Sequence, residues 1–155
     1  MTFIAVCGAA EASPHDTAIA EDVGSLLARA GATVICGGLG GVMEAAARGA
    51  SGSGGHAIGI LPGDDRAGAS PFLTASIPTG MGEARNALLV RSADAVIAIG
   101  GEFGTLSEIA LALKMGKRVV GIGTWELSKP ERGTVDAIVR AATAEEAVRL
   151  ALEPT

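Results

Sequence analysis

The chain has no tyrosine, one tryptophan and three phenylalanines, so aromatic residues make up only 3% of its 155 residues. Recognition of single-stranded nucleic acid by a row of stacked rings is therefore not expected. Basic residues are also few. Twelve Lys and Arg face seventeen Asp and Glu, for a net charge of −5, and no basic run offers to neutralise phosphodiesters. No nucleic-acid partner is expected on that ground. No apolar run approaches the ~20 residues of a membrane span, so no membrane partner is expected either. Met1–Cys7 lacks the charged start and long apolar stretch of a secretory leader, which makes a cytoplasmic location the expectation. Only two cysteines occur, Cys7 and Cys36, each at the end of an apolar run. They read as packed, reduced thiols, because neither a histidine partner nor a companion ligand set accompanies them. No metal site is expected.

What the chain does have is 23 glycines and a regular alternation of short apolar runs with helical patterns. The runs Phe3–Val6, Thr33–Cys36, Ala57–Leu61, Ala95–Ile99, Val119–Ile122 and Ala137–Val139 predict buried strands. Helices are predicted over Asp16–Ala30, Val42–Gly49, Gly82–Ser92, Thr105–Met115 and Ala144–Leu152. Strands apolar on both faces, separated by amphipathic helices, imply an α/β, Rossmann-like fold with a mostly parallel sheet and helices on both faces. Ser13 followed by Pro14 and the box Thr143-Ala144-Glu145-Glu146 mark helix starts, while Gly31 and Gly116 mark helix ends. No domain boundary is evident, and residues 1–155 are expected to form one domain that binds a nucleotide or other phosphate-bearing ligand. Gly49–Gly55 reads as a helix-to-strand connection and Pro62–Pro71 as a mobile surface loop.

Two segments carry the chemistry. Val96–Glu108 reads as a strand, the turn Gly100-Gly101-Glu102-Phe103-Gly104 and a helix start. Val34–Gly41 repeats the plan with Gly37, Gly38, Gly40 and Gly41. Glycines admit close approach of a ligand, and the first N–H groups of a helix lack intrahelical partners, so such turns suit phosphate oxygens. In a parallel sheet both turns emerge at the carboxyl edge of the strands, where such folds bind ligands. The first strand ends in Cys7-Gly8-Ala9-Ala10 and the second in Cys36-Gly37-Gly38, so the acidic residue of a dinucleotide fingerprint is missing. Gly116-Lys117-Arg118 is not a Walker A loop.

Gly37-Gly38-x-Gly40-Gly41-x-Met43 followed by Gly100-Gly101-x-x-Gly104-Thr105-x-x-Glu108 resembles the LOG (Lonely Guy) superfamily, whose members are often mislabelled lysine decarboxylases. The run Gly80-Met81-Gly82-Glu83-Ala84-Arg85-Asn86 resembles its short branch, which includes molybdenum-cofactor carrier proteins. Ile99 and Asn86 depart from the superfamily's signature, which has proline and lysine there. The resemblance implies a homodimer or homotetramer with Gly8, Gly37, Gly38, Gly40, Gly41, Gly100, Gly101, Gly104 and Thr105 as ligand-binding residues. It further implies Arg85 and Glu108 as a catalytic pair that hydrolyses the N-glycosidic bond of a nucleoside 5′-monophosphate, giving free base and ribose 5-phosphate. The alternative it implies is a non-catalytic carrier of the molybdenum cofactor, a pterin phosphate, or a nucleotide sensor. No cofactor is required in either case; the molybdenum cofactor would be cargo. Lysine decarboxylation is not expected, since Lys114, Lys117 and Lys129 fall in ordinary exposed contexts.

Plainer roles compete at several positions. Thr105-Leu106-Ser107-Glu108 also reads as a capping box, Arg85 as a snorkelling arginine and Met43 as packing. Phe103 reads either as a ring that stacks on a base or pterin or as packing on its own loop.

Overall fold

A computed structural model describes residues 1–134 and 137–154. Seven strands form one parallel sheet in the order β4-β3-β2-β1-β5-β6-β9. They are β1 (Phe3–Gly8), β2 (Thr33–Cys36), β3 (Ala57–Leu61), β4 (Ala75–Pro78), β5 (Ala95–Ile99), β6 (Arg118–Ile122) and β9 (Val139–Arg140). Two-residue strands β7 (Ser128–Lys129) and β8 (Gly133–Thr134) pair antiparallel as a separate hairpin. The helices are α1 (Pro14–Arg29), α2 (Val42–Gly52), α3 (Arg85–Ser92), α4 (Phe103–Lys114) and α5 (Ala144–Leu152). The result is the α/β Rossmann-like architecture the alternation predicts.

Alternate side chains along each strand point to opposite faces, which builds a core on either side of the sheet. Ile4, Val6, Ile97 and Ile99 pack under α1, α2 and α5, whereas Ala5, Cys7, Val96 and Ala98 pack under α3 and α4. On the first face α1 and α2 cross at backbone contact. A Cβ on Gly24 would lie 2.0 Å from the Ala46 carbonyl oxygen, and one on Gly49 would lie 1.9 Å from that of Glu21. Arg48 bridges the same pair of helices through Glu21, Nη2 to Oε2 2.9 Å.

The caps fall as predicted. Ser13 Oγ accepts from the Asp16 amide at 3.1 Å and Thr143 Oγ1 from that of Glu146 at 3.2 Å. Gly31 and Gly116 take positive φ just past α1 and α4. Other expectations need correction. The helix predicted over Gly82–Ser92 opens as a 3-10 turn, Gly82–Ala84, and becomes α-helical at Arg85. The predicted last strand, Ala137–Val139, is shorter and later, pairing Val139 and Arg140 with Val120 and Gly121. Lys117 is half-buried rather than exposed, because its ammonium donates to the Arg91 and Ala93 carbonyls at the end of α3. Among the described residues no helix is long and apolar enough to cross a membrane.

Candidate functional site

Strand order reverses at β1, whose neighbours β2 and β5 continue the sheet in opposite directions. Open α/β sheets leave a crevice at the carboxyl ends of strands at such a switch point. Here it holds a cleft of about 660 Å³, lined among others by Gly8, Leu39, Met43, Arg85, Thr105 and Glu108. That size suits one small molecule.

The two glycine turns are not equivalent. At the end of β2, Gly41 takes φ 61° and its absent Cβ would sit 2.1 Å from the Ala9 carbonyl oxygen. The first amide of α2, on Val42, donates to that same Ala9 oxygen at 3.1 Å. Gly38 (φ 79°) lies against Leu61, and a Cβ on Gly37 would meet Met43 Sδ at 2.5 Å and Arg85 Nη2 at 2.6 Å. The Ala9–Ala10 turn together with Leu61, Met43 and Arg85 thus packs this glycine turn, and Gly37, Gly38, Gly40 and Gly41 do not line the cleft. Gly41→Ala adds backbone strain to a collision with backbone, and should lower stability by about 2–5 kcal/mol in urea unfolding.

At the end of β5, Gly100 (φ 51°) turns against the Asp16 carboxylate and Gly101 (φ 98°) against Thr105. Then α4 begins at Phe103, with Glu102 in the capping position and no side chain capping it. The capping-box reading of Thr105 and Glu108 is therefore corrected: both lie inside the helix, Thr105 in its first turn and Glu108 in its second. Glu102, Gly104 and Thr105 line the cleft, so the open helix start faces it. Gly104 differs from its neighbours. A Cβ there would meet no protein atom within 4 Å, and its φ is not in the left-handed region.

Arg85 and Glu108 approach the floor of the cleft from α3 and α4, and each is more than nine-tenths buried. Arg85 is no snorkelling surface residue. Its guanidinium donates to the Ile60 carbonyl (2.8 Å), to the Gly37 carbonyl (3.4 Å) and to Asn86 Oδ1, tying β3, β2 and α3 together. Of the five N–H donors an arginine carries, two remain for a ligand among the described residues. Asn86 Nδ2 donates in turn to Ser107 Oγ at 2.9 Å, and Ser107 to the Gly104 carbonyl at 2.6 Å. This relay links Arg85 to the start of α4. Burial pushes the Glu108 carboxyl up to about 7, against the opposing pull of the Cys7 thiol and the Arg85 guanidinium. Burial likewise raises the Cys7 thiol well above its ordinary value, with the Glu108 charge adding to the effect. Both cysteines are buried and free, as the sequence predicts, and an un-ionised Cys7 is no nucleophile.

The sequence reading did not single out Ala9, Ala10, Glu11, Leu39, Pro62, Glu83, Asn86 or Glu102 as cleft residues. Glu11 and Leu39 belong to turns that show no periodicity, while Pro62 opens a loop that reads only as surface and Glu83 lies in a segment read as helix. Met43 does pack, at 8% exposure, yet also lines the cleft.

The profile of the SLOG cluster 4 family matches residues 1–149. The chain belongs to that family. This agrees with the resemblance to a branch of the LOG superfamily. An uncharacterized protein from Archaeoglobus fulgidus is 49% identical over 119 residues, which is 77% of this chain and 78% of that protein. The molybdenum cofactor binding protein of the phototrophic bacterium Rippkaea orientalis superposes with a TM-score of 0.86 at 36% identity, over 96% of this chain and 94% of that one. The molybdenum cofactor carrier protein of Chlamydomonas reinhardtii gives a TM-score of 0.84 at 33% identity, over 97% of this chain and 96% of that one.

Proposed function

We propose that this SLOG protein binds a phosphate-bearing pterin in the cleft and carries the molybdenum cofactor as cargo. Gly104 is the observation that carries the reading. The fold asks for no glycine there, since a Cβ would stand in open space. Close approach of a ligand to the uncapped start of α4 does ask for one. The free amides of that turn would receive the phosphate, with the Thr105 hydroxyl and the remaining Arg85 donors completing the anion site. Two solved relatives above 30% identity, matched over nearly their whole length, bind or carry the molybdenum cofactor. Assembly of residues 1–155 as one ligand-binding domain in a homodimer or homotetramer belongs to the same proposal.

A second reading, N-glycosidic hydrolysis of a nucleoside 5′-monophosphate, draws support from Glu108. A buried carboxyl that titrates near neutrality in a cleft is a candidate acid or base. Carriage is favoured over it because two solved relatives of similar fold and length are molybdenum cofactor binding or carrier proteins, and because the Arg85 guanidinium that faces Glu108 is largely committed to protein oxygens.

The test is gel filtration after mixing the protein with molybdenum cofactor released from a molybdoenzyme. Pterin and molybdenum should co-elute with the protein, and Gly104→Val should abolish co-elution while leaving the unfolding free energy within about 1 kcal/mol of the parent. Release of free base from nucleoside 5′-monophosphates, lost in Glu108→Gln, would replace carriage by hydrolysis.

A further inference from the structure

For a cleft that would take a phosphate, this one is short of positive charge. Among the described residues Arg85 is the only cation that lines it, against the carboxyl groups of Glu11, Glu83, Glu102 and Glu108. The first three are exposed, where water and salt screen them. Glu108 is only 7% exposed. It follows Gly104 by four residues and Thr105 by three, so all three share one face of α4, and helical side chains lean back toward the N-terminus. The carboxyl is therefore carried toward the first-turn amides that would hold the phosphate. Few groups act on it. The Cys7 thiol hydrogen-bonds it from β1, and Arg85 faces it from α3. Strand β5 has no titratable residue, and Arg118 of β6 is turned to the Leu150 and Glu153 carbonyls at the end of α5. Arg85 itself gives most of its donors to Ile60, Gly37 and Asn86. A phosphate dianion and an ionised Glu108 would thus face one another in a poorly hydrated place, with one largely committed cation between them. Like charges so placed do not both persist.

We infer that Glu108 is a phosphate-binding residue that acts in its un-ionised form, its carboxyl O–H donating to an oxygen of the ligand's phosphate. This rests on the cleft function proposed above and adds the protonation state in which the site takes its ligand. Where the carboxyl is ionised beforehand, binding takes up one proton from the buffer onto a Glu108 oxygen, and no other bond is made or broken. Burial already holds this carboxyl up at about 7, against the pull of Cys7 and Arg85, so it is readily protonated near neutrality and less so above it. The Cys7 thiol, raised well above its ordinary value by burial, keeps its own proton over the same range. Affinity for a phosphate ester therefore falls as the pH rises above neutrality.

Calorimetric titration with neopterin phosphate between about pH 7.5 and 9 tests the assignment, because a phosphate monoester with a second pKa of about 6 is a dianion throughout that range. Repeated at about pH 8 in two buffers of different ionisation enthalpy, it should show uptake of about one proton per probe bound. Affinity should fall by about tenfold per pH unit. Carboxyl NMR of the bound parent at about pH 8 should show Glu108 protonated, a reading that needs no variant. Glu108→Gln places a neutral donor at the same point, so it should take up no proton and bind at about pH 9 at least roughly 10-fold more tightly than the parent. Binding by the parent without proton uptake, or with Glu108 ionised, overturns the assignment and leaves the cleft function standing. Uptake that persists in Glu108→Gln puts the proton elsewhere and overturns it too. A folded Glu108→Gln that binds no probe shows that the ligand needs the carboxylate as an acceptor, which again overturns it. Failure of the parent to bind at about pH 7.5 overturns the assignment together with the cleft function.

Discussion

Replacing Arg85 by methionine should cost about 3–5 kcal/mol of folding stability in urea unfolding at neutral pH. The side chain fills a buried position, yet its guanidinium is what satisfies the ends of β2 and β3 through Gly37 and Ile60. Methionine keeps most of the volume and leaves those oxygens and Asn86 Oδ1 without a donor. Each unsatisfied buried acceptor costs about 1–3 kcal/mol, so several together dominate any gain from the apolar replacement. The same substitution removes a cation that lowers the Glu108 carboxyl. Glu108 should then stay protonated to a higher pH, which carboxyl NMR reads directly. Arg85→Lys separates the two effects. A lysine returns the charge but not the planar fork, so the Glu108 titration should move back while most of the stability remains lost.

Glu108→Gln should stabilise the protein under alkaline conditions, the reverse of the usual outcome of a buried substitution. In the unfolded chain this carboxyl titrates at its ordinary 4.5, and in the fold at about 7. Below the lower value both states hold the proton, and the residue contributes no pH dependence. Between the two values the unfolded chain gives up its proton first, so stability falls as the pH rises. Above about 7 the whole penalty is present, on the order of 3 kcal/mol for a gap of this size. The variant should therefore unfold at higher urea than the parent at about pH 8.5 and at the same urea near pH 4.5. Coincident parent and variant curves across that range would show that Glu108 is not held neutral by the fold.

Much of this was legible in the sequence, for identifiable reasons. Strands such as Ala95–Ile99 are buried on both faces and read as continuous apolar runs, and the helices between them carry their own start and stop residues. What escaped was set by partners distant along the chain. The edge strand Ala75–Pro78 exposes alternate residues and ends in proline, so neither run length nor alternation marks it; its pairing with β3 defines it. The hairpin Ser128–Lys129 with Gly133–Thr134 is too short for any period. At the site, Gly104 and Gly41 look alike in sequence, yet one faces open space and the other the Ala9 carbonyl. Arg85 looks like an ordinary polar residue on an apolar helix, because two of its acceptors lie 25 and 48 residues away. The box Thr105–Glu108 misled for a local reason: the helix starts two residues earlier, at Phe103, so the spacing is right and the frame is wrong.

The contact of α1 with α2 through Gly24 and Gly49 has a consequence well away from those glycines. Helices that touch backbone to backbone have no side chains between them to absorb a change, so a single added methyl must move a whole helix. The far end of α2 carries Met43 into the cleft. A methyl at Gly24 or Gly49 therefore acts as a lever with its load at Met43, altering the shape of the cleft without touching anything bound there. Selection on the ligand would then reach positions that never meet it, and a variant found at either glycine should be assayed for binding before it is dismissed as a matter of stability.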